Sequence, residues 1–444
     1  MSAAHPLGWV GIVRLGLVQL ALGGIVVLTT SAFNRIMVVE LAFAAIVPGA
    51  LVTLRELIQL SRPRFGYGSD RGGRRTPWIV GGIATMALGV VLAALAIAWA
   101  ERATGSGLAL AVVGYLLIGL GGASAGTSVL ALLATHVMPE RRAAAATIVW
   151  VMLIFGFVVT AASAGAMLDP YSSSRLVAVT TVIAVAAVLL SVAAMWRLEG
   201  TPRVPVAEAG TATFAGALRD VLTEPRAFRF TIFVFVSMLA YSTQDLILEP
   251  YAGLVFGLTP GESTSLTSNQ HGGVLVGMLT VALLGSRFGK GKDSWLRRTA
   301  AVGCIGSALV LITLAAGGFE GVGWPIERAV FVLGFANGVF AVAAIGSMMS
   351  LAGAGQKQRE GTRMGVWGAA QAVSLAIGGF LGTVAVDVLR AVFGAPVPAY
   401  ASVFVAEALL FLVAAWLALW VGRAAITPVT TPPGGDVATA TIAR

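Results

Sequence analysis

Charge is what the chain lacks most. Of its 444 residues only 11% are Asp, Glu, Lys or Arg, while 57% are hydrophobic and the mean hydropathy is +0.90. So little polar surface cannot clothe a water-soluble fold of this length, which excludes a soluble enzyme and makes the chain an integral membrane protein. Cysteine is almost missing: a single Cys304, inside an apolar run, excludes an internal disulfide and a Cys-based metal site. Histidine is scarce too. With only His5, His136 and His271, no cluster of catalytic His, Cys and metal ligands is legible. The formal net charge of +9 would suit nucleic acid, but the arginines lie in short loops between apolar runs, so lipid is the expected partner and nucleic acid is not. No Lys or Arg precedes Arg14 and no small-residue cleavage site follows, so the first apolar run is expected to stay in place.

What is abundant is apolar sequence in lengths that cross a bilayer. A spanning helix needs about 20 residues for roughly 30 Å of hydrocarbon, and that ruler predicts twelve, over 11–33, 37–60, 77–100, 107–135, 143–168, 175–197, 227–250, 268–286, 299–317, 326–352, 363–390 and 398–422. Loops after the even-numbered spans carry nearly all the basic residues, and the others about one each, which predicts both termini on the cytoplasmic side. The long polar stretch 198–226 divides the chain into an N-terminal six-helix half (1–197) and a C-terminal one (227–422), joined by a cytoplasmic linker. A disordered tail is expected over 423–444. Gly122 and Gly126 in the fourth span, and Gly378 and Gly382 in the eleventh, form G-x-x-x-G pairs, read as close helix packing or as a face for a flat ring.

Between spans 2 and 3 stands Arg62-Pro-Arg-Phe-Gly-Tyr-Gly-Ser-Asp-Arg-Gly-Gly-Arg-Arg-Thr-Pro77, with five arginines against one carboxylate. Thr76 and Pro77 fit a helix N-cap followed by the first helical position. This loop resembles the signature of the major facilitator superfamily, and a degenerate basic copy, Gly285 to Asp293, follows span 8 with Gly289 where the first has Asp70. The resemblance implies an all-α membrane protein of twelve helices in a 6+6 pseudo-symmetric arrangement, with a site between the halves. Asp70 is expected to meet the start of helix 11 near Thr362 or a loop arginine, with Arg71 and Arg74 in the same clasp.

Ionisable residues at membrane depth mark function or buried pairs. Arg35 ends the first span and Glu40 opens the second, while Gln244-Asp-Leu-Ile-Leu-Glu-Pro-Tyr251 ends the seventh. Arg35 therefore has two sets of partners in reach: Glu40 in its own half, a structural pair, or Asp245 or Glu249 in the other, a gate. Asp245 and Glu249 share a helical face, which also suits a proton-linked step. Glu56 is expected to pair locally with Arg55, and Asp387 with Arg390. Glu407 falls near mid-membrane and faces either inward or toward a partner protein. Asn34, Gln244, Asn337 and Gln371 can offer an amide oxygen to a ligand. The tryptophans at span ends, Trp150 and Trp367 among them, read as an interfacial belt.

Five segments resemble the bacteriochlorophyll delivery (PucC/LhaA) family of that superfamily: Asn34 to Leu41, Arg62 to Asp70, Gln244 to Gly253, Leu266 to Gln270 and Gly365 to Gln371. The compact basic loop looks most like a branch encoded among pigment-synthesis genes. This resemblance implies a non-enzymatic assembly factor of the intracytoplasmic photosynthetic membrane that binds or delivers bacteriochlorophyll, or a precursor, as cargo. Its partners would be light-harvesting or reaction-centre subunits and bacteriochlorophyll synthase. Candidate ligand contacts are Asn34, Gln244, Asp245, Glu249, Tyr251, His271 and Gln371, with His271 a candidate ligand to chlorophyll magnesium and no protein-bound metal. The other class is a proton-coupled transporter of a small solute, but helix 5 lacks the antiporter pattern G-x-x-x-G-P-x-x-G-G.

Overall fold

The computed structural model describes residues 7–62, 65, 74–138, 141–199, 224–288, 293–353 and 360–421. Most of the expected linker, the whole expected tail after 422, and Asp70 and Arg71 of the basic loop lie outside them; Arg74 is described and is exposed. Among the described residues twelve helices of more than ten residues follow in order: α1 (Trp9–Thr30), α2 (Ile46–Ile58), α3 (Thr76–Ala100), α4 (Thr104–His136), α5 (Arg142–Leu168), α6 (Ser173–Met195), α7 (Pro225–Phe256), α8 (Pro260–Phe288), α9 (Asp293–Glu320), α10 (Ile326–Gly353), α11 (Glu360–Phe393) and α12 (Pro396–Trp420). Among the described residues ten spans are long and apolar enough to cross a membrane. The remaining two are α2, only 13 residues long, and α8, whose first half to His271 is largely polar.

Three boundaries differ from the sequence expectation. Helix α1 does not stop near 33 but continues through Ala32–Arg35 and a π-helical turn at Ile36–Glu40, so Glu40 belongs to the first span, not the second. The chain then turns through Ala42, at φ 53°, before α2 begins. Glu40 stands at this break, but the polar Asn34–Arg35 pair that suggests an earlier end is carried inside the continuing helix. Helix α7 runs past Pro250 to Phe256 and is closed by Gly257 in the left-handed conformation at φ 71°. Helix α8 starts at Pro260, eight residues before the apolar run. Its start is a capping box: Thr259 N donates to Glu262 Oε2 (2.8 Å) and Glu262 N to Thr259 Oγ1 (3.2 Å).

Buried side chains form one large cluster in α1–α6, among them Ile12, Met86 and Tyr115, which Leu246 of α7 joins, and another within α7–α12, among them Phe233, Phe340 and Phe404. Trp367 is in the second cluster, edge-on to Phe230 and donating to Thr231 Oγ1 at 3.1 Å, so it is a core residue and not part of an interfacial belt. The two sets of six meet along two seams, α5 against α8 and α2 against α11. Glycines set the closest approaches within each half. A Cβ on Gly82 would fall 2.7 Å from the Gly121 carbonyl oxygen, tying α3 to α4, and one on Gly378 would fall 2.6 Å from the Leu239 carbonyl oxygen, tying α11 to α7. Gly122, by contrast, has only Met86 side-chain atoms at 3.7 Å or more.

Candidate functional site

Between the halves lies a cavity of about 280 Å³ lined by α1, α2, α5, α7, α8 and α11. Its walls are largely apolar, with Leu22, Val26, Ile154, Phe157, Met238 and Leu375 among them, and besides Tyr241, Ser242, Asp245 and Gln371 on α7 and α11 its polar groups gather in two places. One is the floor where α1, α7 and α8 meet, with Ser31, Glu249, Thr267 and His271. The other is a face of α2, with Arg55, Glu56 and Gln59.

At the floor, the Glu249 carboxylate accepts hydrogen bonds from the hydroxyls of Ser31 and Thr267, one from each half of the molecule. A carboxylate so deep in an apolar bundle is costly without donors, and both supplied here come from neighbouring helices. The Thr267 carbonyl oxygen is 2.9 Å from His271 Nδ1, and Phe157 meets the imidazole edge-on at 4.8 Å between ring centroids.

The Pro250 ring explains the next contact. Lacking an N–H, Pro250 leaves the Leu246 carbonyl, four residues back, without its helical donor. Asn34 Nδ2 supplies that donor from α1's extension, at 2.7 Å, across the interface between the halves. Beside it, buried Arg35 (3% exposed) forms an ion pair with Glu40, and its Nη2 donates to the Leu258 carbonyl in the second half at 2.5 Å. The ion pair is thus within one half, while the same guanidinium reaches across to backbone and not to Asp245 or Glu249.

Two further carboxylates close this end. Asp169, just past α5, accepts from Thr259 Oγ1 (2.6 Å) and Gly261 N (3.0 Å) at the start of α8. Asp387, near the end of α11, accepts from Ala45 N (3.0 Å) and Ile46 N (2.7 Å) at the start of α2. The expected Asp387–Arg390 pair is therefore not formed, because two unsatisfied N–H groups at a helix start hold the carboxylate instead.

Of the candidate residues, Asp245, Glu249, His271 and Gln371 line the cavity, and His271 sits well inside α8, not at its opening. Gln371 Nε2 is 3.7 Å from Met238 Sδ. Asn34 and Gln244 are fully buried but are not cavity residues; Gln244 is rotated off the face shared by Asp245 and Glu249. Tyr251 packs in the core of the second half against Phe404 and Tyr400, with its hydroxyl donating to the Leu314 carbonyl at 2.6 Å. Asn337 is likewise a core residue, accepting from Ser307 Oγ at 2.8 Å. Glu407 faces inward, 1% exposed. Trp150, expected in the interfacial belt, is 41% exposed and also lines the cavity.

Arg55 is the residue underrated by the sequence. It is 4% exposed, paired with Glu56 at 2.5 Å and bonded to the Thr29 hydroxyl. Val52, Arg55, Glu56 and Gln59 all line the cavity, and their i, i+3, i+4, i+7 spacing was the available signal.

A family model described as PUCC protein matches residues 32–426. The chain is 51% identical over 414 residues to the "Bacteriochlorophyll synthase 44.5 kDa chain" of Rhodobacter capsulatus, covering 93% of this chain and 95% of that one. It is 30% identical over 426 residues to "Protein PucC" of the same organism, covering 91% and 90%. Among solved structures, a peptide transporter, POT, matches at a TM-score of 0.70 with 16% identity, over 94% of this chain and 96% of that one. A bacterial homolog of the human lysosomal transporter Spinster, in an inward-facing and occupied conformation, matches at 0.67 with 13% identity and the same coverage. Likeness at that identity shows the fold, which is the twelve-helix 6+6 architecture of the major facilitator superfamily. The match over most of the length, together with the relative of that name, settles the lineage: this multi-pass membrane protein belongs to the PUCC protein family.

Proposed function

We propose that the chain is a non-enzymatic assembly factor of a bacterial photosynthetic membrane, which holds bacteriochlorophyll or a precursor between its halves and passes it to light-harvesting or reaction-centre subunits. The observation that carries this reading is the inter-half cavity itself: a mainly apolar lining drawn from six helices, with polar side chains set into it. Such a surface suits a large apolar ring with a few polar substituents better than it suits a hydrated solute. The name carried by the 51% identical relative refers to bacteriochlorophyll synthase, which fits a pigment as cargo. A role without bond-making chemistry is supported by the engagement of Glu249 by two hydroxyls, and of Arg55 by Glu56 and Thr29, in bonds that hold helices together. The basic loops are proposed to lie on the cytoplasmic side, with both termini, and the Arg35 end on the opposite side.

The test is to purify the protein from a pigment-making host and record its absorbance. A co-purifying bacteriochlorin, and reduced antenna assembly in Asp245→Ala and Glu249→Ala strains, are expected. A colourless protein together with normal antenna in both strains overturns the reading. Proton-coupled transport of a small solute is the second reading, favoured by the two carboxylates, Asp245 and Glu249, on one cavity-facing stripe of α7. Uptake that depends on a pH gradient in proteoliposomes would select it.

A further inference from the structure

We infer that Glu407 is a proton-binding site in the middle of the second half: its carboxyl carries a proton at neutral pH and is paired across the α7–α12 contact with the amide of Gln244. The inference goes beyond the cargo reading and holds whatever the cavity binds. It starts from helix register. Helices α7 and α12 pack against each other and, as an odd and an even span, run in opposite directions. Rings fix their contact: Tyr251 of α7 lies 5.5 Å from Tyr400 and 4.9 Å from Phe404 of α12, between centroids. Residues seven apart return to nearly the same face of a helix, about two turns along its axis. Two turns back from Tyr251 is Gln244, and two turns on from Tyr400 is Glu407. In antiparallel helices both steps lead the same way, so Gln244 and Glu407 come to one level on the facing sides. Burial agrees, with Gln244 0% and Glu407 1% exposed. Asp245, the next residue of α7, is near enough to act electrostatically on Glu407.

The protonation state follows from the surroundings. Neither oxygen of Glu407 and neither polar atom of the Gln244 side chain has a hydrogen-bond partner among the described residues. Helices α7, α9 and α11 pack against α12. Away from their ends, their titratable side chains are Tyr241, Asp245, Glu249 and Tyr251 of α7 and Cys304 of α9, none of them basic. Asp387 and Arg390 of α11 lie toward its outer end, where the start of α2 holds Asp387. A buried carboxylate with no cation opposite it, and with another carboxylate nearby, is a costly species, whereas the acid form carries no charge and brings a donor. The acid O–H then donates to Gln244 Oε1 while the acid carbonyl accepts from Gln244 Nε2, so a single proton satisfies all four atoms. This joint sits directly behind Asp245, which lines the cavity. Loss of the proton would leave a bare charge between α7 and α12 at that depth.

The experiment compares infrared spectra of the full chain in detergent at neutral pH. Wild type minus Glu407→Gln is expected to show the carbonyl stretch of a protonated carboxylic acid, shifted down in heavy water, with no loss of carboxylate bands. That variant keeps the side chain's shape and can pair amide to amide with Gln244, so its melting temperature should be unchanged. In Gln244→Met, which keeps the side-chain length, the acid band is expected to move to higher frequency because its carbonyl has lost an N–H donor. A carboxylate band in place of the acid band in the first difference spectrum overturns the inference without reference to Gln244. An acid band that stays in place in Gln244→Met overturns the pairing. Neither result depends on a bound pigment, so failure here is distinct from failure of the cargo reading.

Discussion

Pro250 shows how a single residue recruits another one more than 200 positions away. By withholding a proton from the Leu246 carbonyl it creates a demand that Asn34 meets from the other half. Asn34→Leu should leave that carbonyl buried and unpaired, at a cost of about 1–3 kcal/mol. Pro250→Ala restores an N–H, so the double variant should be more stable than the two single losses predict. Thermal unfolding of the four proteins in detergent measures the coupling, and strict additivity would refute the account. At Arg35, Arg35→Lys cannot reach Glu40 and the Leu258 carbonyl together, because an ammonium lacks the planar fork. It should lower the melting temperature although charge is kept. Much of this chemistry is legible in the sequence, where Asn34–Arg35 and the Gln244 to Tyr251 segment stand out as polar groups at the ends of apolar runs. Which residue faces the cavity is less so. Gln244 and Asp245 are adjacent, yet only Asp245 lines it, since successive helical residues point about 100° apart.

Among the helices, glycine spacing decides how near two axes come. Gly378→Leu would drive a side chain into the Leu239 carbonyl of α7 and is expected to destabilise by about 1–3 kcal/mol or to prevent folding, whereas Gly122→Ala should be nearly silent. Expression level and melting temperature distinguish the two, and equal effects would contradict the packing described. The G-x-x-x-G reading was therefore right for Gly378 and Gly382 and misplaced in α4, where Gly121 and Gly114 make the close approach. Existence of the helices followed from apolar length alone. Their ends did not: the first span continues through the polar Asn34–Arg35 pair to Glu40, and the polar first half of α8 is helical because its side chains find partners. Ser268 bonds the Val158 carbonyl at 2.9 Å and Asn269 the Glu327 carbonyl at 2.7 Å. Such partners come from distant segments and leave no local trace.

For the whole molecule, the two carboxylate clasps, Asp169 on the start of α8 and Asp387 on the start of α2, hold the halves together at the Arg35 end. Replacing either by Ala should cost about 0.5–2 kcal/mol of closure, as loss of a helix cap does. The Asp169→Ala/Asp387→Ala protein should open more readily than either single variant. A cysteine introduced at Ala45, 1% exposed beside the Asp387 clasp, reports opening by its rate of maleimide labelling, against little background because the native Cys304 is fully buried. Labelling no faster in the double variant would show that the clasps do not hold this end shut.

The clasps have a counterpart in quaternary structure. Helices α2 and α8 occupy corresponding places in the two halves, and so do α5 and α11. Each half therefore offers one carboxylate and one helix start, and receives the same pair in return. That reciprocity is the mark of an isologous contact, in which one patch is complementary to itself under a two-fold axis. A six-helix chain with both elements could pair with a second copy of itself through the bonds that now join two parts of one polypeptide.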